Sequence, residues 1–208
     1  MNQLFLLDGS YRDAVSTLLG KYGYAVDDYF SEKSYNRFLA GEIKTPSKRK
    51  ISRTGEGLYC HHIDENKQSL IASPAAIKYF NIPFAYQRKN RLVYCNLVEH
   101  ALLHILIATE TSNILDCPLG QRLGIGGYMF FLRPQIIQWF IEGIAPSLQW
   151  QINCRNAALL DSESAKQLVK EMDSFLLSHY PDATQRNLDA AYENYVYGSP
   201  SGRGNLLI

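Results

Sequence analysis

The 208-residue chain predicts an α+β fold: a small core of two short strands and one helix, embedded in mostly α-helical N- and C-terminal regions. Three observations predict it. Leu58 to Ile63 and Arg91 to Cys95 are short apolar runs of strand character. A strongly apolar stretch follows the second run directly. Apolar residues also recur at helical spacing on both sides of this core.

The elements follow in order. Ser10 caps a helix over residues 11–21, with Ala14, Leu18 and Tyr22 at four-residue intervals. A weaker helix runs over 27–39. Residues 43–53 (IKTPSKRKISR) are basic, contain a proline and two serines, and read as an extended loop. This closes an N-terminal region of residues 1–50. In the central module, 51–110, the strand at 58–63 is followed by an irregular stretch, 64–90, with Pro74, Pro83 and room for one short helix. The second strand then leads to Asn96, whose side chain can accept the free amide hydrogens of a helix over 97–109. The C-terminal region, 111–208, opens with the chain-breaking Gly124-Ile125-Gly126-Gly127. The most hydrophobic stretch, Ile125 to Ile144, carries Arg133, Pro134, Gln135, Gln138 and Glu142. Those groups would be costly in lipid, so it reads as buried helix and not as a membrane span. Asp161 or Ser162 caps a helix to Ser178 with Ala165, Leu168, Met172 and Leu176 on one side, and the tail from Tyr197 to Gly204 reads as frayed.

Composition excludes more than it selects. The 21 Lys and Arg nearly cancel the 20 Asp and Glu, so any surface for a polyanion must come from local clustering. Cys60, Cys95, Cys117 and Cys154 form no CxxC pair, which argues against zinc knuckles and against a disulfide-stapled secreted domain. The N-terminus has no basic start and its apolar run is too short for a signal peptide, so the expectation is a soluble cytoplasmic protein without a membrane partner.

The chemistry lies in the histidines. His100 and His104 stand at i and i+4 on the most apolar helix, so both imidazoles project from one face with room for one ion. His61-His62 ends the first strand, which a strand–loop–strand–helix order brings beside that helix. Adjacent strand residues point to opposite faces, so the strand must bend or end there for both to serve one site. Asp64 and Glu65 follow, either as carboxylates that orient a histidine or as loop surface. Glu99 faces away from the pair on an ideal helix.

The strings Leu58-Tyr59-Cys60-His61-His62-Ile63-Asp64-Glu65 and Asn90-Arg91-Leu92-Val93-Tyr94-Cys95-Asn96-Leu97-Val98-Glu99-His100-Ala101-Leu102-Leu103-His104 resemble the HNH endonuclease motif. They are closest to HNH-like proteins of Gram-positive bacteria and their phages. The resemblance covers about residues 20–135 and implies a ββα-metal core that hydrolyses phosphodiester bonds with one divalent ion. It makes His62 the general base and His61, His100 and His104 the metal ligands. Its asparagine maps to Asn90 or Asn96: the family position, nine residues before the first helix histidine, holds Arg91 here. Asn90 is the candidate that fastens the loop.

A base of pKa near 6.5 and an ion held by three neutral imidazoles suit phosphodiester hydrolysis. Imidazole favours Zn, Ni, Co or Mn over Mg by softness, and the residues do not choose among them. Lys48, Arg49, Lys50 and Arg53 precede the first strand, and Arg88, Lys89 and Arg91 the second, as candidate phosphate contacts. Tyr59, Tyr86 and Tyr94 are candidates for stacking on bases or for packing. The partner expected from the resemblance is double-stranded DNA. An RNA-directed nuclease or toxin, a non-catalytic binding module with a structural metal, and a homodimer all remain open.

Overall fold

The computed structural model describes residues 3–114 and 117–198. It is mostly helical, with one two-stranded antiparallel sheet, and so belongs to the α+β class. The proposed frayed tail falls largely on residues 199–208, outside the described residues.

Helix α1, Tyr11–Tyr22, begins where Ser10 accepts a hydrogen bond from the Asp13 amide and the Asp13 carboxylate accepts one from Ser10. The weaker helix is shorter than its sequence suggested: α2 covers only Glu32–Leu39, because Tyr29 and Ser31 are drawn into backbone bonds with Gln87 and Ser47. Strand β1, Tyr59–His62, and strand β2, Leu92–Cys95, pair antiparallel, with Tyr59 opposite Cys95 and His62 opposite Leu92. Between them lies the one short helix expected, α3, Pro74–Phe80, with Ser73 at its cap and Pro74 at its first position. Helix α4, Leu97–Glu110, leaves β2 directly and packs across both strands.

Beyond α4 a helical run begins at α5, Ile125–Gly127, continues through the wider-wound Tyr128–Leu132, α6 (Arg133–Ile136) and a second wide stretch, Ile137–Ile141. Its polar members are satisfied internally: the buried Arg133 pairs with the buried Asp173, and Gln135 accepts from Tyr59. No helix among the described residues is long and apolar enough to cross a membrane. Helix α7, Gln149–Ala158, then α8, Ser162–His179, capped by Asp161, and α9, Gln185–Tyr197, complete the chain.

The ribbon stands between two apolar cores. Tyr59, Val93 and Cys95 face a large core built with α1, α4 and the C-terminal helices. Leu58, Leu92 and Tyr94 face a smaller one made from residues 25–94, with Cys60 packed at its edge. The three sequence stretches 1–50, 51–110 and 111–208 thus share a core: α4 of the central stretch is buried by helices of the other two. That explains why α4 shows no polar face, since a helix apolar all round is one covered all round.

Candidate metal centre

Helix α4 is the platform. Asn96 caps it, its side chain accepting from the Glu99 amide while the Glu99 carboxylate accepts from the Asn96 amide. Glu99 also accepts from Lys21 and Tyr22 of α1, at 2.6 and 2.9 Å, so it clamps α1 onto α4 and turns away from the histidines, as its helix position required. One face of α4 then presents His100 and His104 with ring centroids 4.9 Å apart. From β1, His61 enters the same space, 5.1 Å from the His100 ring and 5.4 Å from that of His104. One donor nitrogen from each ring lies within 4.8 Å of the other two. The structure brings together the three histidines read as ligands.

Bonds on the outer edges fix how two of those rings, His61 and His104, are protonated. The Tyr11 hydroxyl donates to the Ile63 carbonyl at 2.9 Å and sits 2.9 Å from His61 Nε2. Its single proton is committed, so it accepts from Nε2–H and leaves a lone pair on His61 Nδ1. The Gly124 carbonyl, 3.1 Å from His104 Nδ1, can only accept, which leaves the His104 lone pair on Nε2. His61 Nδ1 and His100 Nδ1 are buried with no hydrogen-bond partner among the described residues. Buried polar atoms without partners are expensive, and a cation is the partner that several convergent lone pairs share. Burial holds the rings neutral: with neighbouring imidazoles adding to the effect, His61 and His100 fall well below the ordinary imidazole range, and burial takes His104 to about 4 against the opposing bond to Gly124. Neutral imidazole is the form that binds metal.

Glycine lets the second layer close in. Gly124 has φ +73, and a Cβ there would lie 2.3 Å from the His104 carbonyl oxygen. A Cβ on Gly127 would lie 2.4 Å from His104 Cε1 and Nδ1. The chain break read at 124–127 is therefore the wall that orients His104.

Glu65 stands beside the cluster, next to two of its three histidines. It sits in the tight turn Ile63–Asn66 immediately after β1, with Oε2 3.4 Å from His104 Nε2 and 3.8 Å from His61 Nδ1. Burial lifts its carboxyl to about 8. Its side chain is 22 % exposed, against 11 % for His104 and none for His61, so the route from solvent passes beside Glu65.

His62 is not part of this cluster. The strand neither bends nor ends before it: its backbone stays extended (φ −84, ψ 121) and its side chain follows the pleat to the opposite face. There it is 2 % exposed, 4.5 Å from the Tyr29 ring centroid and 3.1 Å from Gln87 Oε1. Gln87 Nε2 donates to the Ile71 carbonyl, so its Oε1 accepts from His62 Nε2–H. This corrects the reading of His62 as a base facing solvent. Asn90 also departs from its expected role. It is exposed and lines a surface hollow with Val26, Asp27, Asp28, Arg88 and Lys89, while Asn96 serves the helix cap.

Members of both basic stretches turn to the segment 27–32 and not to the three-histidine cluster. Arg49 pairs with Asp27, and Arg88 with Asp28 and Glu32, while Lys48 lies over the Tyr29 ring on the His62 side. Arg53 forks onto Glu56. Lys50 and Lys89 are exposed. Arg91 alone of the seven adjoins the cluster, through a two-pronged bond to Asp64, the residue before Glu65, which Lys67 also joins at 2.8 Å. Tyr59 and Tyr94 are buried and bonded to Gln135 and the Ile51 carbonyl, which makes them packing residues.

Tyr11, Gly124 and Gly127 carried no site reading in the sequence, since Tyr11 lies 50 residues from its histidine. The faint clue was the Gly-rich run, too close-set to be loop alone. No family model, curated protein or solved structure matches the chain.

Proposed function

We propose that the chain is a metal-dependent endonuclease of the HNH type, in which His61, His100 and His104 hold one divalent ion and DNA phosphodiesters are hydrolysed. One observation carries the reading: three neutral imidazoles from β1 and α4 converge, with outer-edge bonds on His61 and His104 that turn their lone pairs inward and a buried His100 nitrogen without a partner. The order strand–strand–helix supports it, as does the match to the motif strings. A divalent ion bound there supplies positive charge to a phosphate oxygen and to the departing oxygen. The chain's own residues set its surroundings: Tyr11 and Gly124 orient ligands, and Arg91 and Lys67 place two cations against the single carboxylate of Asp64 beside the entrance.

With His62 committed to Gln87, the reading assigns no histidine base. A positioned base contributes about 10²- to 10⁴-fold, so cleavage by this centre is expected to be slow. The second reading is a non-catalytic module with a closed structural metal, favoured by the burial of the histidines and by the carboxylate that shuts the side toward solvent.

Plasmid DNA, incubated with the protein and a panel of Zn²⁺, Ni²⁺, Co²⁺, Mn²⁺ and Mg²⁺, separates the two. The nuclease reading expects nicked or linear product with at least one metal, lost in His100→Ala and kept in folded His62→Ala. A metal that raises the melting temperature without producing cleavage of DNA or RNA leaves the structural reading standing instead.

A further inference from the structure

We propose that Glu65 is the fourth ligand of the centre, so that the site is a three-histidine, one-carboxylate site whose carboxylate occupies the corner toward solvent. This rests on the reading that the histidines hold a metal; in structural use the carboxylate closes the site, and in catalytic use it would have to yield its corner to the phosphate.

Ligand geometry is the main argument. Imidazole and carboxylate bonds to a zinc-sized ion are about 2.1 Å long, which puts the corners of a tetrahedron about 3.4 Å apart. Glu65 Oε2 lies 3.4 Å from His104 Nε2 and 3.8 Å from His61 Nδ1. These are the two nitrogens whose lone pairs are left open by Gly124 and Tyr11. The carboxyl oxygen therefore faces the acceptor side of both nitrogens, and one ion between them would be shared by all three atoms. The 3.8 and 3.4 Å separations are also longer than an N–H···O bond or at its outer limit, and suit an ion in the middle.

The chain supplies the placement. Ile63, Asp64 and Glu65 form one tight turn after His61, and Asp64 anchors that turn to Arg91 and Lys67. The turn folds Glu65 back over the residue four before it, and the Tyr11 hydroxyl bridges the Ile63 carbonyl to the His61 ring. Ligand and ligand-bearing turn are thus tied by one hydroxyl. Three neutral rings and one carboxylate leave a divalent centre with net charge of about +1, which still attracts an anionic group while limiting the metals that bind tightly.

Co²⁺ titration into the metal-free protein tests this by visible absorption, which reports ligand number and type without any substrate. The wild-type protein should give the intense bands of a four-coordinate ion. Glu65→Gln should change those bands and bind Co²⁺ at least about 10-fold more weakly. Glu65→Asp, with a shorter arm, should fall between, and serves as the test should the Gln variant lose its fold by circular dichroism. Wild-type spectrum and affinity in these Glu65 variants, with binding abolished in His100→Ala, overturns the fourth-ligand assignment and leaves the histidine centre standing. No Co²⁺ uptake by the wild-type protein overturns both.

Discussion

His61 and His62 are neighbours with the same side chain, and the two faces of the ribbon give them opposite work. On the His61 face the ring meets other imidazoles, and its inward nitrogen finds no partner. On the His62 face the ring is covered by Tyr29, and Gln87 Oε1 accepts the hydrogen bond of its Nε2–H. Both rings are buried and both are held neutral, so burial alone does not mark a site. The distinguishing property is leftover hydrogen-bonding capacity. One face leaves a buried nitrogen without a partner, and on the other the ring is bonded and covered.

The strongest way to break that contrast is to truncate each histidine in turn. His61→Ala removes a ligand and should weaken binding of Zn²⁺ or Co²⁺ by more than about 100-fold, read by competition with a chelating dye. His62→Ala should leave metal affinity within a few-fold. Its cost is structural: a ring-sized hole under Tyr29 and an unpaired Gln87 oxygen, together about 3 kcal/mol. For a chain this long that lowers the melting temperature by about 10 °C. Equal loss of metal in the two variants would falsify the division between faces.

Acid sharpens the same comparison in the metal-free protein. His62 is depressed to about 4, first by burial and also by the Lys48 ammonium, against the opposing pull of its bond to Gln87 and of Asp64. An unfolded histidine takes up its proton near 6.5. The depressed pKa means that the unfolded chain binds the extra proton first as pH falls. Stability from this residue is therefore whole above about pH 6.5 and drains away down to about pH 4, by about 3 kcal/mol. Melting curves in chelator between pH 7 and 4.5 should show the fall, and His62→Asn should make it shallower by that share. An unchanged slope in the variant would mean that the ring is not buried as described.

How much of this was legible follows the same line. The convergence of His100 and His104 was readable because i,i+4 spacing on a helix fixes geometry locally, and His61 follows once β1 lies beside α4. The caps at Ser10 and Asn96 were readable for the same local reason, and Asp161 was one of the two residues that the sequence offered for the third. His62 was misread although the sequence holds the needed fact, strand alternation. The motif likeness required a bend that the backbone does not make. The basic residues misled differently. Side-chain type shows where cations are, but Asp27, Asp28 and Glu32, which neutralise Arg49 and Arg88, come from a segment placed there only by the tertiary fold. Tyr11 and Gly127 belong to that long-range class too.

Tyr11 offers the smallest and most selective perturbation. Tyr11→Phe keeps the ring that packs in the large core and removes only the oxygen that accepts from His61 Nε2–H and donates to Ile63. His61 then loses the bond that keeps its proton on the outer nitrogen, and the tautomer with a proton on Nδ1 becomes competitive. Metal must displace that proton or rotate the ring, so affinity should drop about 10-fold, the usual effect of removing a bond that orients a ligand. The Phe variant should remain folded, with a stability loss of about 1 kcal/mol in the metal-free state. The informative quantity is the ratio between the two effects. A loss of stability with no loss of metal affinity would make Tyr11 a core residue that happens to touch His61, and the receptive face would then consist of the ligands alone.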